Sequence, residues 1–239
     1  MSDDLERYVL NRPRTADRPL QGMTVLVVED SRFASEAIRL LCLRSGARIR
    51  RADSLLAAHR HLAVYRPSIV IVDMGLPDGS GADLIHELSG AQPRVPVLLG
   101  ISGDMDGEAL AMDAGADGFL PKPLESLAQF QQAVLMHLPP GEGPTGPRKL
   151  PREVVHPDMF AYQDDLSHIA EVIREAPDGH TLDYIAQFLS GVAMCAHDDR
   201  LEAAAIRLAR SRAKGRGTGT DIARVAGIVQ ERLERRRSI

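Results

Sequence analysis

The chain has 239 residues and no tryptophan, with five phenylalanines and four tyrosines. A core must therefore be built from aliphatic side chains. Its only cysteines are Cys42 and Cys195, both within helix-like apolar patterns. Two thiols so placed argue against a disulfide and fit buried, reduced cysteines of a cytosolic protein. No apolar run approaches the roughly 20 residues that cross a bilayer. The acidic, polar N-terminus has nothing of a signal peptide, so the expected location is the cytoplasm. A formal net charge of −4 gives no global pull toward nucleic acid. At this length two domains are the natural expectation.

What the chain does have is a set of apolar runs that end in charge. Ile69-Val-Ile-Val-Asp73 is β-branched throughout and stops at Gly75 and Pro77. It reads as a buried strand of a parallel sheet, with Asp73 at its carboxyl end. That edge is where open α/β sheets bind ligands. On this stretch alone Asp73 reads equally well as a strand-end cap or as a reactive group. Thr24 to Val28 is a second such strand, followed by Glu29 and Asp30. Gly118 to Leu120 is a brief third, followed by Lys122-Pro123. If these strands are neighbours, Glu29, Asp30, Asp73 and Lys122 converge on one edge. Unit charges ~4 Å apart interact by about 4 kcal/mol at an effective dielectric of ~20, so clustered carboxylates call for a cation. Hard oxygen ligands suit Mg²⁺, and a lysine beside it suits chemistry on a phosphoryl group.

These pieces carry a resemblance. The stretch from about Met23 to Leu138 resembles the receiver domain of two-component response regulators. The matching parts are Glu29-Asp30, Asp73 with Leu76-Pro77 and Gly81, Ser102 after Val97-Leu-Leu-Gly-Ile101, and Ala114-Gly-Ala with Phe119 and Lys122-Pro123. Strands alternate with helical patterns at 32–44, 55–64, 82–88, 108–114 and 127–138, which argues for a parallel sheet covered on both faces. The resemblance adds a flavodoxin-like, doubly wound five-stranded sheet with strand order 2-1-3-4-5. Arg48 to Ala52 alternates in polarity and reads as an edge strand.

The resemblance also implies roles. Asp73 is the phosphoacceptor, attacking a donor phosphohistidine. Asp30 and Asp73 ligate Mg²⁺ together with the backbone carbonyl of Gly75, and Glu29 acts directly or through a metal-bound water. Lys122 pairs with the phosphoryl group, and Ser102 donates its hydroxyl to a phosphoryl oxygen. Phe119 is the switch aromatic, and Lys122–Pro123 is expected to be cis. Such a protein is a signalling protein rather than an enzyme, although self-dephosphorylation is open to it. Two departures from the family stand near the acceptor. Gly75 replaces a larger side chain and is expected to leave the approach to Asp73 more open. Asp104, two residues after Ser102, could repel or order attacking water. Together they predict an altered phosphoryl lifetime.

Residues 1–21 read as a mostly mobile lead-in with a short helix near Leu5, and 22–138 as the receiver. Residues 139–151, rich in Pro and Gly, form a linker. Residues 152–239 read as an all-α bundle of four amphipathic helices. Their apolar stripes run through Leu166 to Ile173, Ile185 to Val192, Leu201 to Leu208 and Ile222 to Leu233. The stretch Gln187-Phe-Leu-Ser-Gly191 is similar to the second active helix of histidine phosphotransfer domains, with Gln187 at the histidine and Ser190 at the lysine. An amide cannot form a phosphohistidine, so this would be a degenerate, docking version. His168, His180 and His197 read as surface, cap or turn residues.

The expected partners are a histidine kinase or histidine phosphotransfer protein and a downstream protein reached through the helical unit. Receivers often pair through the Phe119 face, so a homodimer is allowed. The expectation is against nucleic acid. The alternative is a DNA-binding transcriptional regulator using the basic end from Glu231 to Arg237.

Overall fold

A computed structural model of the chain describes residues 14–144, 146, 148–175 and 177–235. Five strands and five helices alternate through the first half. They are β1 (Thr24–Val28), α1 (Arg32–Arg44), β2 (Arg48–Ala52), α2 (Leu55–Val64), β3 (Ile69–Asp73), α3 (Gly81–Gly90), β4 (Val97–Ser102), α4 (Gly107–Asp113), β5 (Gly118–Pro121) and α5 (Leu127–Leu135). The strands form one sheet in the order β2-β1-β3-β4-β5, all parallel. This is the flavodoxin-like order expected, with β2 at one edge. Between β3 and α3, Gly75–Leu76 pairs antiparallel with Gly79–Ser80.

The sheet is buried on both faces because successive side chains of a strand point to opposite sides. Val25, Val27, Ile69, Ile71 and Leu99 pack with α1 and α5. Leu26, Val28, Val70, Val72 and Leu98 pack with α2, α3 and α4. Serine marks where helices begin. Ser31, Ser54, Ser80 and Ser126 each accept a hydrogen bond from a backbone N–H of the first turn of α1, α2, α3 and α5. Position 81 must be glycine, since a Cβ there would lie 1.9 Å from the carbonyl oxygen of Asp73.

Four helices follow: α6 (Met159–Arg174), α7 (Gly179–Cys195), α8 (Asp199–Ala213) and α9 (Gly219–Arg235). They coincide with the four apolar stripes and share one core, centred on Leu166, Ile169, Ile185, Leu189, Val192, Leu201, Leu208, Val225 and Val229. Phe33 and Ala34 of α1 belong to that same core, so it continues into the sheet-bearing half. Phe33 also sets its ring 5.7 Å from that of Tyr162.

Three expectations change. The end of the lead-in is anchored, because Leu20 is wholly buried in the sheet core and its N–H donates to the carbonyl of Ser45; the helix expected near Leu5 lies outside the described residues. The fifth helix stops at Leu135, short of Leu138. Val155, expected to open the helical unit, packs in the sheet core instead, and Val154 makes an antiparallel bridge to Ser126. Both cysteines are free and buried. Lys122–Pro123 is cis, as is Gln92–Pro93. Among the described residues no helix is long and apolar enough to cross a membrane.

Candidate functional site

The parallel sheet carries the carboxyl ends of β1, β3, β4 and β5 to one edge. Glu29 and Asp30 follow β1, Asp73 ends β3, Ser102 ends β4 and Lys122 follows β5. Lys122 Nζ lies 2.8 Å from Glu29 Oε2 and 2.9 Å from Asp73 Oδ2. Its side chain is 6% exposed, that of Glu29 0% and that of Asp73 10%. The carboxylate oxygens of Glu29, Asp30 and Asp73 lie within 4.8 Å of one another.

The electrostatics follow from that burial. Burial together with the neighbouring Asp73 pushes Glu29 well above the usual carboxylate range, against the pull of Lys122. Burial and Asp73 likewise raise Asp30 to about 7, opposed by a hydrogen bond from Tyr184 and by Lys122. Burial alone would lower Lys122, but Asp73 and Glu29 outweigh it and hold the ammonium charged. When all are ionised, three carboxylates face one ammonium, which leaves two negative charges in a buried site. An oxygen-lined cluster with that excess fits a hard divalent cation.

Ser102 is buried, and its hydroxyl accepts from the N–H of Asp104. The N–H of Lys122 donates to the Ser102 carbonyl, which ties the two strand ends together. Phe119 is half-buried on β5. Gly107, the first residue of α4, lies between the two. A Cβ there would be 2.7 Å from Ser102 Cβ and 3.3 Å from Phe119 Cζ, so Ser102, α4 and Phe119 are in mechanical contact.

Every site residue singled out in the sequence thus stands at this edge or against it. Gly75 does so differently from expectation. The space over it is not open, because a Cβ built there would lie 2.4 Å from Cδ of Gln187 on α7. The Gln187 side chain donates from Nε2 to Asp104 Oδ2 at 3.2 Å. The three histidines do not line the cavity beside Asp73. The ring of His168 packs edge-on to Phe188, His197 Nε2 lies 2.9 Å from Glu125 Oε1, and His180 is exposed.

Sequence reasoning missed Tyr184 and Asp165. The Tyr184 hydroxyl donates to Asp30 Oδ2 at 2.8 Å. Asp165, on α6, accepts from the Ser31 hydroxyl and from the N–H groups of Arg32 and Phe33 at 2.8, 2.8 and 3.0 Å. It is buried at the positive end of α1, where a carboxylate is favoured. No local pattern marks either residue, since each contact spans over 130 residues of chain. The only signal was the phosphotransfer-like stretch beginning at Gln187.

Comparison with known proteins bears on the sheet-bearing half. The family model of the response regulator receiver domain matches residues 25–134. The chain is 33% identical over 126 residues to the response regulator MprA of Mycobacterium sp. (strain KMS), covering 52% of this chain and 55% of that protein. It is 31% identical over 159 residues to the transcriptional regulatory protein KdpE of Mycobacterium tuberculosis (strain ATCC 25618 / H37Rv), covering 65% and 66%. These matches span about half to two thirds of the relatives' lengths. A solved receiver domain (CheY-like) from Methylobacillus flagellatus is 26% identical with a TM-score of 0.41, covering 47% of this chain and 98% of that one. Sheet order, acidic edge and family model together show that the chain carries, over residues 25–134, a response regulator receiver domain.

Proposed function

We propose that this protein is a phosphorelay response regulator that takes a phosphoryl group onto Asp73 from a histidine kinase or a histidine phosphotransfer protein. The observation that carries the reading is the trio of carboxylates, Glu29 and Asp73 buried and Asp30 half-buried, closed by Lys122. An Asp73 carboxylate oxygen attacks phosphorus in line. The donor N–P bond breaks, and its electron pair stays with the imidazole, which takes up a proton. Lys122 swings from Asp73 to a phosphoryl oxygen as a point charge, and the Ser102 hydroxyl donates to another. Glu29, Asp30, Asp73 and the Gly75 carbonyl would hold Mg²⁺. When bound, that ion neutralises charge on the phosphoryl oxygens in the transition state. As Ser102 moves toward the phosphoryl group, the contact through Gly107 lets Phe119 turn inward.

In this reading 22–138 is the receiver, 139–151 a linker and 152–239 an output that works through protein contacts. Incubation with Mg²⁺ and acetyl phosphate tests the acceptor. The full chain should gain one phosphoryl mass and Asp73→Asn none. A gain that survives the substitution would move the acceptor elsewhere.

A second reading, a transcriptional regulator that binds DNA, draws support from the name of the KdpE relative, and the comparisons lend nothing to the expectation against nucleic acid. Against it, several arginines of the last two helices are neutralised. Arg232 pairs with Asp198, Arg200 and Arg235 with Glu231, and Arg207 with Asp221. Tight DNA binding by the full chain that weakens steeply with salt would favour this second reading.

A further inference from the structure

Helix α7 lies across the mouth of the phosphoacceptor site. Tyr184 reaches Asp30. Gln187 stands over Gly75 and bonds Asp104. At Gly191 even a Cβ would lie only 3.8 Å from Lys122 Nζ, and at Gly103 a Cβ would meet Met194 at 3.2 Å. Positions 184, 187, 191 and 194 recur at the three-to-four-residue spacing of one helix face, so a single stripe makes all these contacts. The cavity left beside Asp73 is about 20 Å³, space for about one water. Asp165 fastens the same unit to the first turn of α1 by three hydrogen bonds, directly after the acidic pair.

The cavity at Asp73 is lined by Gln187, Phe188, Ser190 and Gly191 of α7, so a donor that enters it meets α7. Gln187 offers an amide where such a donor would present its imidazole. The amide can hydrogen-bond in the mouth but cannot carry a phosphoryl group.

We infer that α7 is a built-in stand-in for the phosphodonor: it docks in the donor's place, so that a phosphohistidine-bearing helix and α7 compete for one surface of the receiver. Phosphorylation and docking of α7 are then mutually exclusive. Filling the site releases the α6–α7 face together with the contacts of Phe33, and that freed face is what a downstream protein can bind. This inference rests on the phosphoacceptor reading above.

The test is the rate of phosphoryl gain from acetyl phosphate with Mg²⁺, followed by intact mass. It uses the full-length wild type, Asp165→Ala, Gln187→Ala and Asp73→Asn. Asp165 and Gln187 belong to the cover and not to the acceptor edge. Asp165→Ala should raise the initial rate about tenfold, which corresponds to about 1.4 kcal/mol of docking energy. Gln187→Ala should raise it in the same direction. Gln187 is exposed, so its truncation keeps the helical core even if Asp165→Ala does not fold. Wild type and Gln187→Ala gaining phosphoryl at one rate, with Asp73→Asn inert, would overturn the cover and leave the acceptor standing. No gain by any of the four would bring down both.

Discussion

The side-chain amide of Gln187 takes the room that a side chain at position 75 would need, with only 2.4 Å between its Cδ and a Cβ built on Gly75. The glycine next to the acceptor and the glutamine on α7 are therefore fitted to each other across the two halves of the chain.

Gly75→Met should push the exposed, flexible end of the Gln187 side chain off the acceptor. Overpacking in a packed core costs about 1–3 kcal/mol, and the low end applies here because the displaced atoms end an exposed side chain. A urea midpoint lowered accordingly, with a changed half-life of the aspartyl phosphate, is the expected result. If midpoint and half-life both match the wild type, the fit between the two residues has no consequence.

Lys122→Met removes the ammonium held 2.8 and 2.9 Å from Glu29 and Asp73. Uncompensated buried carboxylates cost about 3–5 kcal/mol, so the metal-free variant should melt well below the wild type. Mg²⁺ should recover a larger share of Tm in the variant than in the wild type, because the cation then replaces the missing positive charge. Equal Mg²⁺ shifts in the two proteins would contradict the proposed role of these carboxylates.

Phe33→Ala should weaken the join between the halves. Phe33 sits on α1 of the receiver yet is 3% exposed within the helical core. Truncation of a buried phenylalanine costs about 3–5 kcal/mol. Urea unfolding should show that loss, and Asp73 should take up phosphoryl faster in the folded variant. A loss below about 1 kcal/mol would mean that the site closes up easily.

Asp198 links the helical unit to acid stability. It accepts from Arg232 and from the Tyr162 hydroxyl, and the Arg232 hydrogen bonds hold its carboxyl down to about 2. The folded value lies below the unfolded value of ~3.9, so this contribution is present above pH ~4 and is lost as pH falls toward 2. Solvent screening brings it to about 1 kcal/mol. Asp198→Asn should lose that amount at pH 7 and only a small part of it at pH 2. An equal loss at both pH values would assign the effect to helix capping rather than charge.

The receiver was legible in the sequence because its signals are local. Buried β-branched runs such as Ile69–Asp73 leave little choice but a central parallel strand. Serines at 31, 54, 80 and 126 start helices by bonding their own first turns. The charged residues at the strand ends had one sheet edge to share once the strands were parallel. The four apolar stripes after residue 159 were readable for the same reason, since helix periodicity needs no distant partner. Leu20 and Val155 were misjudged because burial of a lone apolar residue in an irregular segment has no period to betray it.

The relation between the halves was decided by tertiary structure alone. Gly75 in sequence reads as space left open, and only the fold shows that Gln187 occupies it. Asp165 and Tyr184 look like ordinary helix residues until α1 and Asp30 come within hydrogen-bond distance of them. Sequence by itself determined the acidic edge and the helices, because strand alternation, helix period and capping act over a few residues. What covers that edge depends on contacts between distant residues, 83 positions apart for Gln187 and Asp104 and 154 for Tyr184 and Asp30, and these exist only once both units have folded and met.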